Sequence, residues 1–450
     1  MAPEKLFTLE IEKIVAGGNG LARLPDGMVA MVPGVLPGER VRVRVTRRQK
    51  QFAECELVAL EQPAVDRVEP ACPHYGQCGG CDLQHIAYPA QVRIKQEILR
   101  AHLVRTGLLS STVDPDFLRA PCPSPRQTGY RLRLRLHVDE HGRLGMYRTR
   151  SNQVVPLRRC LIARPEINAI MARLGDCRPL DELLRQTREL EILIAPDEAL
   201  GVLLLDFTRK PRPADLARVR QALAELPGVK GVYLRVDGHG LHDHQGRLVE
   251  IRDADLLHWT LPMTGEPEAV RLTIEPGGFY QVNQEQNENL VAQLLDFADL
   301  AGREQVLDLF CGMGNFSLPL ARRCATVLGM DLQGAAVRGA LRNRMLSGID
   351  NVDFQKKAAL DGARELAGRG ARFDLVLLDP PRTGCREVLP FVMQLAPARL
   401  IYISCDPATL CRDLGWLVGS GPYRLEAMRM FDMFPHTSHL ETMVLLHRVR

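Results

Sequence analysis

The last third of the chain constrains the fold most. QVLDLF, TVLGMD, NVDFQ, FDLVLLD and RLIYIS follow one another between helix-forming segments. Strands alternating with helices predict a parallel sheet. The first of these strands runs through Val306 into Phe310-Cys-Gly-Met-Gly-Asn315-Phe316, a Gly-rich turn that opens a helix. Glycines there let the backbone approach a ligand at the carboxyl edge of the sheet. The turn lacks the G-x-G-x-x-G spacing that pyrophosphate-binding enzymes use. The next strand ends in Asp331, placed to accept hydrogen bonds from ribose hydroxyls. Together these features favour S-adenosylmethionine, a nucleoside without phosphates, over NAD.

Two further strand ends carry chemistry. FDLVLLD closes on Asp379-Pro-Pro-Arg382, where amino-methylating enzymes often place an aromatic residue after the prolines. Arg382 in that place argues against adenine N6 chemistry. RLIYIS runs into Cys405-Asp-Pro-Ala-Thr-Leu-Cys-Arg, with Asp406 a good N-cap and Pro407 a good first helical residue. Cys405 is thereby expected at a helix N-terminus, where the macrodipole favours thiolate. The alternative is a buried structural cysteine, the default for Cys311 and Cys324. A thiol suits methylation at C5 of uracil, a carbon too poorly nucleophilic to attack a sulfonium directly. Thiolate addition at C6 creates the C5 nucleophile, and a base must then remove the C5 proton. The last strand, His436-Thr-Ser-His-Leu-Glu441-Thr-Met-Val, offers Glu441 as that base. A carboxylate in an apolar strand is costly unless paired or functional, although a solvated edge residue would look the same.

The rest of the chain adds modules. At 450 residues it should hold two to four domains. Residues 6–61 alternate short β-like runs with Gly turns and read as a small all-β barrel. A helical pattern follows in QVRIKQEILRAHLVRTG, with Gly107 as its C-cap, and two more helices are expected near 164–174 and 212–225. The N-terminus is charged and lacks the apolar core of a signal peptide, and no stretch approaches the roughly 18 apolar residues of a membrane span. A cytoplasmic protein with reduced thiols, no membrane association and no obligate protein partner is the expectation. Its twelve cysteines then read as ligands, nucleophiles or buried small residues. Cys72, Cys78 and Cys81 form a tight loop, for which Cys160 is the candidate fourth ligand. From spacing alone, zinc held by four cysteines and a [4Fe–4S] cluster both remain open.

Charge is unevenly distributed. Residues 266–450 hold 20 Lys+Arg against 22 Asp+Glu, so the whole positive balance lies in the first 265 residues. Arg40, Arg42 and Arg44 alternate with valines, and Arg131, Arg133 and Arg135 alternate with leucines. Strands with one Arg face are compatible with RNA phosphate contact or with a solvated sheet face.

DLFCGMGNFSL, LLDPPRTG, YISCDPATLCRDL and HTSHLETM together resemble the RNA uracil-C5 methyltransferases. The likeness runs along the chain, residues 6–61 resembling a TRAM domain. The Cys loop, with C-x5-C-x2-C spacing and a downstream cysteine, resembles the iron–sulfur-containing branch that acts on 23S ribosomal RNA. The resemblance implies a multidomain α/β protein in three parts. These are a TRAM-like, OB-type barrel over 1–62, a central iron–sulfur α+β domain over 63–265 and a class I Rossmann-like methyltransferase domain over 266–450. It implies Cys405 as nucleophile and Glu441 as base, with cofactor contacts at Gln281, Phe310, Asn315, Asp331 and Asp379. It also favours a [4Fe–4S] cluster on Cys72, Cys78, Cys81 and Cys160. One departure is visible: Ala358 stands where the family usually places an amide or acidic residue near the adenine ring. Backbone groups or Asp361 are the available substitutes.

Overall fold

A computed structural model describes residues 5–109, 116–237, 240–243, 256–263, 265 and 268–449. Strands β1 (Leu6–Glu10), β2 (Lys13–Ile14), β3 (Asn19–Arg23), β4 (Val29–Pro33), β5 (Arg40–Arg48) and β6 (Phe52–Gln62) form one sheet, ordered β1-β5-β6-β4-β3-β2. Period-2 alternation in β5 puts Val41 and Val43 into a core with Leu9, Ile11, Val32 and Ala53. The outward arginines pair across the ladder with β6, Arg40 with Glu61 and Arg44 with Glu56.

Helix α1 (Tyr88–Arg105) follows, ending at Thr106 with Gly107 at φ 74°, the left-handed residue that the sequence places there. The central sheet takes β7 (Arg133–Val138), β8 (Leu144–Tyr147), β9 (Val154–Pro156), β10 (Thr187–Leu193), β11 (Gly201–Phe207), β12 (Val229–Val236) and β13 (Gly240–His242). Its order is β13-β12-β11-β10-β7-β8-β9, with only β11 and β12 parallel. Helices α2 (Pro165–Leu174) and α4 (Pro213–Glu225) stand where expected. The seven-residue α3 (Arg178–Leu184) is too short for periodicity to reveal. The second arginine stripe is not a bare face: Arg133 and Arg135 both pair with buried Glu191, which register places on the adjacent strand β10.

After a hairpin of β14 (Leu257–Leu261) and β15 (Val270–Ile274), the C-terminal region comprises α5 (Gln284–Ala298), β16 (Gln305–Leu309), α6 (Ser317–Ala321), β17 (Thr326–Asp331), α7 (Gly334–Leu346) and β18 (Val352–Lys356). It continues with α8 (Ala359–Gly368), β19 (Leu375–Leu378), α9 (Leu389–Leu395), β20 (Arg399–Ser404), α10 (Pro407–Ser420), β21 (Tyr423–Phe431) and β22 (Glu441–Arg448). The boundary expected between 265 and 266 adjoins positions 264, 266 and 267, which lie outside the described residues. The sheet order is β18-β17-β16-β19-β20-β22-β21. The five expected strands are parallel, and β22 inserts antiparallel between β20 and β21. Strand order reverses between β16 and β19, which opens a crevice at their carboxyl ends.

Alternate residues of β20 feed two cores. Ile401 and Ile403 pack into one continuous with the central sheet. Leu400 and Tyr402 pack into the other, where Leu99 and Leu103 of α1 meet Leu410 and Leu414 of α10. Among the described residues no helix is long and apolar enough to cross a membrane. Because Leu99 is fully buried in that second core, Leu99→Ala is expected to destabilise the protein by about 2–5 kcal/mol. Urea unfolding measures this, and a change under about 0.5 kcal/mol, typical of surface sites, would show that α1 is not part of the core.

Candidate active site

The sheet's carboxyl edge opens into a cleft of about 1200 Å³. Gln281, Phe310, Asn315, Asp331, Ala358, Asp379, Cys405 and Glu441 all line it. The turn after β16 is built from unusual backbone: Phe310 has φ 71°, Gly312 φ 55° and Gly314 φ 87°. A left-handed phenylalanine is a strained conformation of the kind that clusters at ligand sites. It is held because the Phe310 and Cys311 N–H groups both donate to the Met330 carbonyl. A Cβ on Gly314 would meet Leu318 and Phe354 at 3.2 Å, so glycine also permits close packing there.

The cofactor candidates differ in how they are held. Asp331 accepts from the Gly312 N–H at 3.0 Å and the Gln333 N–H at 2.7 Å, which locks its carboxylate at the cleft wall. Asn315 commits its amide to a reciprocal pair with Asn287, both bonds 2.9 Å. Asp361, one of the two substitutes for a side chain at position 358, turns away to Arg364. The wall there is Ala358, Ala359 and Leu360, where α8 begins without a side-chain cap. First-turn N–H donors are therefore what this segment offers a ligand.

Cys405 and Glu441 come together through sheet register. Ser404 pairs with Thr442 across β20 and β22, so the next position on each strand sets Cys405 beside Glu441. Glu441 is buried in a strand with neighbours on both sides, which excludes a solvated edge. Burial raises its carboxyl well above the ordinary range, Asp379 adds to this, and Arg382 opposes it. Burial alone raises Asp379 to about 7.

The expectation of a dipole-stabilised thiolate at Cys405 is corrected here. Burial and then the neighbouring Glu441 push the thiol up to about 11, against the pull of Arg382. The helix start beside it is capped by Asp406, whose carboxylate accepts from Ala408 N–H at 3.0 Å and Thr409 N–H at 2.8 Å.

Arg382, which in the sequence argues only against adenine N6 chemistry, stands beside both groups. It faces Cys405 and Glu441, and its backbone carbonyl accepts from Thr409. The same loop is tied down by Asp413, whose buried carboxylate accepts from Cys385 N–H and Tyr402 O–H. Its motif position, directly after Asp379-Pro-Pro, was the available signal. Phe279 and Phe434 also line the cleft. Phe279 is 68% exposed, an unusual setting for a large apolar ring.

Away from the cleft, Cys72, Cys78, Cys81 and Cys160 are all free thiols. They are spatial neighbours, since the other three each bear on the ionisation of Cys81, which burial pushes up to about 12. Among the described residues, however, no set of three or more His, Cys, Asp or Glu stands in metal-holding geometry.

Residues 119–449 match the model of the tRNA (Uracil-5-)-methyltransferase family, and residues 5–58 match the TRAM domain. The chain belongs to the RNA uracil-C5 methyltransferase family. Among the family's members, the Alkalilimnicola ehrlichii protein named 23S rRNA (uracil(1939)-C(5))-methyltransferase RlmD is 37% identical, covering 99% of this chain and 97% of that one. A protein of the same name from Pectobacterium atrosepticum is 35% identical over 98% of this chain and 94% of its own length. The fold is that of the Pyrococcus abyssi tRNA (uracil-54, C5)-methyltransferase, solved with S-adenosyl-L-homocysteine. The TM-score is 0.73 and the identity 22%, over 98% of this chain and all of that one.

The electrostatics predict how Cys405 responds to its neighbour. Because Glu441 raises the thiol, Glu441→Gln is expected to lower its pKa and speed its alkylation by iodoacetamide at pH 9. Mass spectrometry of the Cys405 peptide reads the rate. An equal or slower rate in the variant would show that the two groups are not coupled.

Proposed function

We propose that this protein methylates C5 of a uridine in 23S ribosomal RNA, with S-adenosylmethionine as methyl donor. The adjacency of Cys405 and Glu441 across β20 and β22, in a cleft walled by the Gly-rich turn, carries the proposal. Membership of a uracil-C5 methyltransferase family and the names of near-full-length relatives support the substrate.

Bound S-adenosylmethionine supplies an electrophilic methyl group. Asp331 suits the ribose hydroxyls, and the first N–H groups of α8 suit the adenine edge in place of a side chain at Ala358. Gln281, Phe310 and Asp379 complete that wall, while Asn315 stiffens it through Asn287. The thiolate of Cys405 adds to uracil C6, and C5 then takes the methyl group as its bond to the sulfonium sulfur breaks and S-adenosylhomocysteine is left. The carboxylate of Glu441 removes the C5 proton, and the electron pair of that C–H bond re-forms the C5–C6 double bond and expels the thiolate. The mutual repulsion of the two anions orders these events. A thiolate forms more readily while Glu441 is protonated, and Glu441 ionises more readily once the sulfur is bonded to carbon and neutral. Arg382 lowers the cost of each anion in turn.

The modules assigned to 1–62, 63–265 and 266–450 divide this work into RNA grip, cluster-bearing support and chemistry. The proximity of Cys72, Cys78, Cys81 and Cys160 supports these four thiols as ligands of a [4Fe–4S] cluster with a structural role, whose binding would draw them into ligating geometry.

Two experiments test this reading. Cys405→Ala is expected to abolish 5-methyluridine formation in 23S RNA while leaving S-adenosylmethionine binding intact, and wild type should form a covalent adduct with 5-fluorouridine RNA. Absence of that adduct would refute thiolate addition. Anaerobically purified protein is expected to be brown with about four irons per chain. A colourless protein with one zinc would overturn the cluster.

A further inference from the structure

Nine residues, Asp432 to Leu440, connect the end of β21 to Glu441, and regions far apart in sequence converge on them. The Lys95 ammonium donates to Asp432 at 2.6 Å and to the Phe434 carbonyl at 3.0 Å. Both charged side chains are fully buried. Gln91, one helical turn earlier, accepts from the His436 N–H at 2.9 Å. The Asp82 and Leu83 N–H groups donate to the His436 carbonyl, and the Asp82 carboxylate accepts from the Ser438 hydroxyl. Tyr130 donates to the Pro435 carbonyl, and Asn283 donates to that of Met433.

Lys95 and Gln91 belong to α1, whose other contacts matter here. Leu99 and Leu103 pack against α10, the helix that begins directly after Cys405. One rigid helix therefore references both sides of the chemistry: the helix behind the nucleophile and the connection that delivers Phe434 and Glu441. A buried ion pair adds little net stability over apolar groups of the same volume, but losing one partner strands the other charge in the core. The Phe434 carbonyl is where that geometry reaches the cleft.

We infer that Lys95 is a positioning residue for the methyl-transfer reaction, holding Phe434 and the approach to Glu441 in register with Cys405 through its joint grip on Asp432 and the Phe434 carbonyl. The inference rests on the cleft reading above. It concerns a residue that lies outside the Rossmann-like region and does not line the cleft.

Lys95→Met alone strands a buried carboxylate and is expected to unfold easily, so the test uses Lys95→Met with Asp432→Leu. This pair removes both charges and restores apolar packing, yet takes the Lys95 donor from the Phe434 carbonyl, which keeps only its local bonds from the Thr437 N–H and hydroxyl. The double variant is expected to melt within a few degrees of wild type and to keep its KM for S-adenosylmethionine. Its kcat on 23S RNA should fall about 100-fold, the scale of a misplacement near 1 Å. A folded double variant with wild-type kcat would overturn the inference, as would one that cannot fold, since the pair would then be a folding element. Cys405→Ala is measured in parallel: if it retains turnover, the cleft reading itself fails, whatever the double variant does.

Discussion

The antiparallel insertion of β22 between β20 and β21 is the constraint on which the active site depends. In a parallel sheet every strand presents its carboxyl end at this edge, as β19 and β20 do with Asp379 and Cys405. An antiparallel partner brings the start of β22 to the end of β20, so Glu441 meets Cys405 directly. Backbone hydrogen bonds from both flanking strands then hold a carboxyl group in a buried place. The cost of that burial appears as a raised Glu441 and a raised Cys405, two groups poised to carry charge one at a time.

Much of this was legible in local pattern. The five parallel strands, the Gly-rich turn and the acidic strand end at Asp331 are dictated by residues close in sequence. So is the Asp406–Pro407 helix start. The eight residues assigned to catalysis and cofactor binding line one cleft; all but Gln281, in the segment leading into α5, sit at or just beyond a strand end of the catalytic sheet. What pattern could not show depends on partners distant in the chain. The thiol of Cys405 is raised by burial first and then by Glu441 on another strand, neither of which its own segment reveals. The outward arginines of β7 look free in sequence, yet Glu191 neutralises two of them from β10. The period of α1 shows an apolar face but not that it packs on α10.

The modules are also less separate than their composition suggests. The core beneath the central sheet continues into one face of the catalytic sheet. Glu39 of the N-terminal barrel is fully buried under Arg67, which it engages with both oxygens, and it also accepts from the Ala64 N–H in the following linker. Arg67 in turn donates to the Gly34 carbonyl at 2.8 Å. The Cys-bearing loop bonds to the segment before Glu441 through Asp82. Such contacts join the barrel to its linker and the Cys-bearing loop to the segment that leads into Glu441.

The central claim is that Cys405 and Glu441 act as successive nucleophile and base on one uracil ring. Glu441→Gln incubated with 23S RNA and S-adenosylmethionine tests it most directly, read by intact mass. A covalent protein–RNA species that carries the transferred methyl group and persists is expected, because addition and methylation precede the step that Glu441 performs. Normal release of 5-methyluridine by this variant, or a folded variant that forms no covalent species, would contradict it.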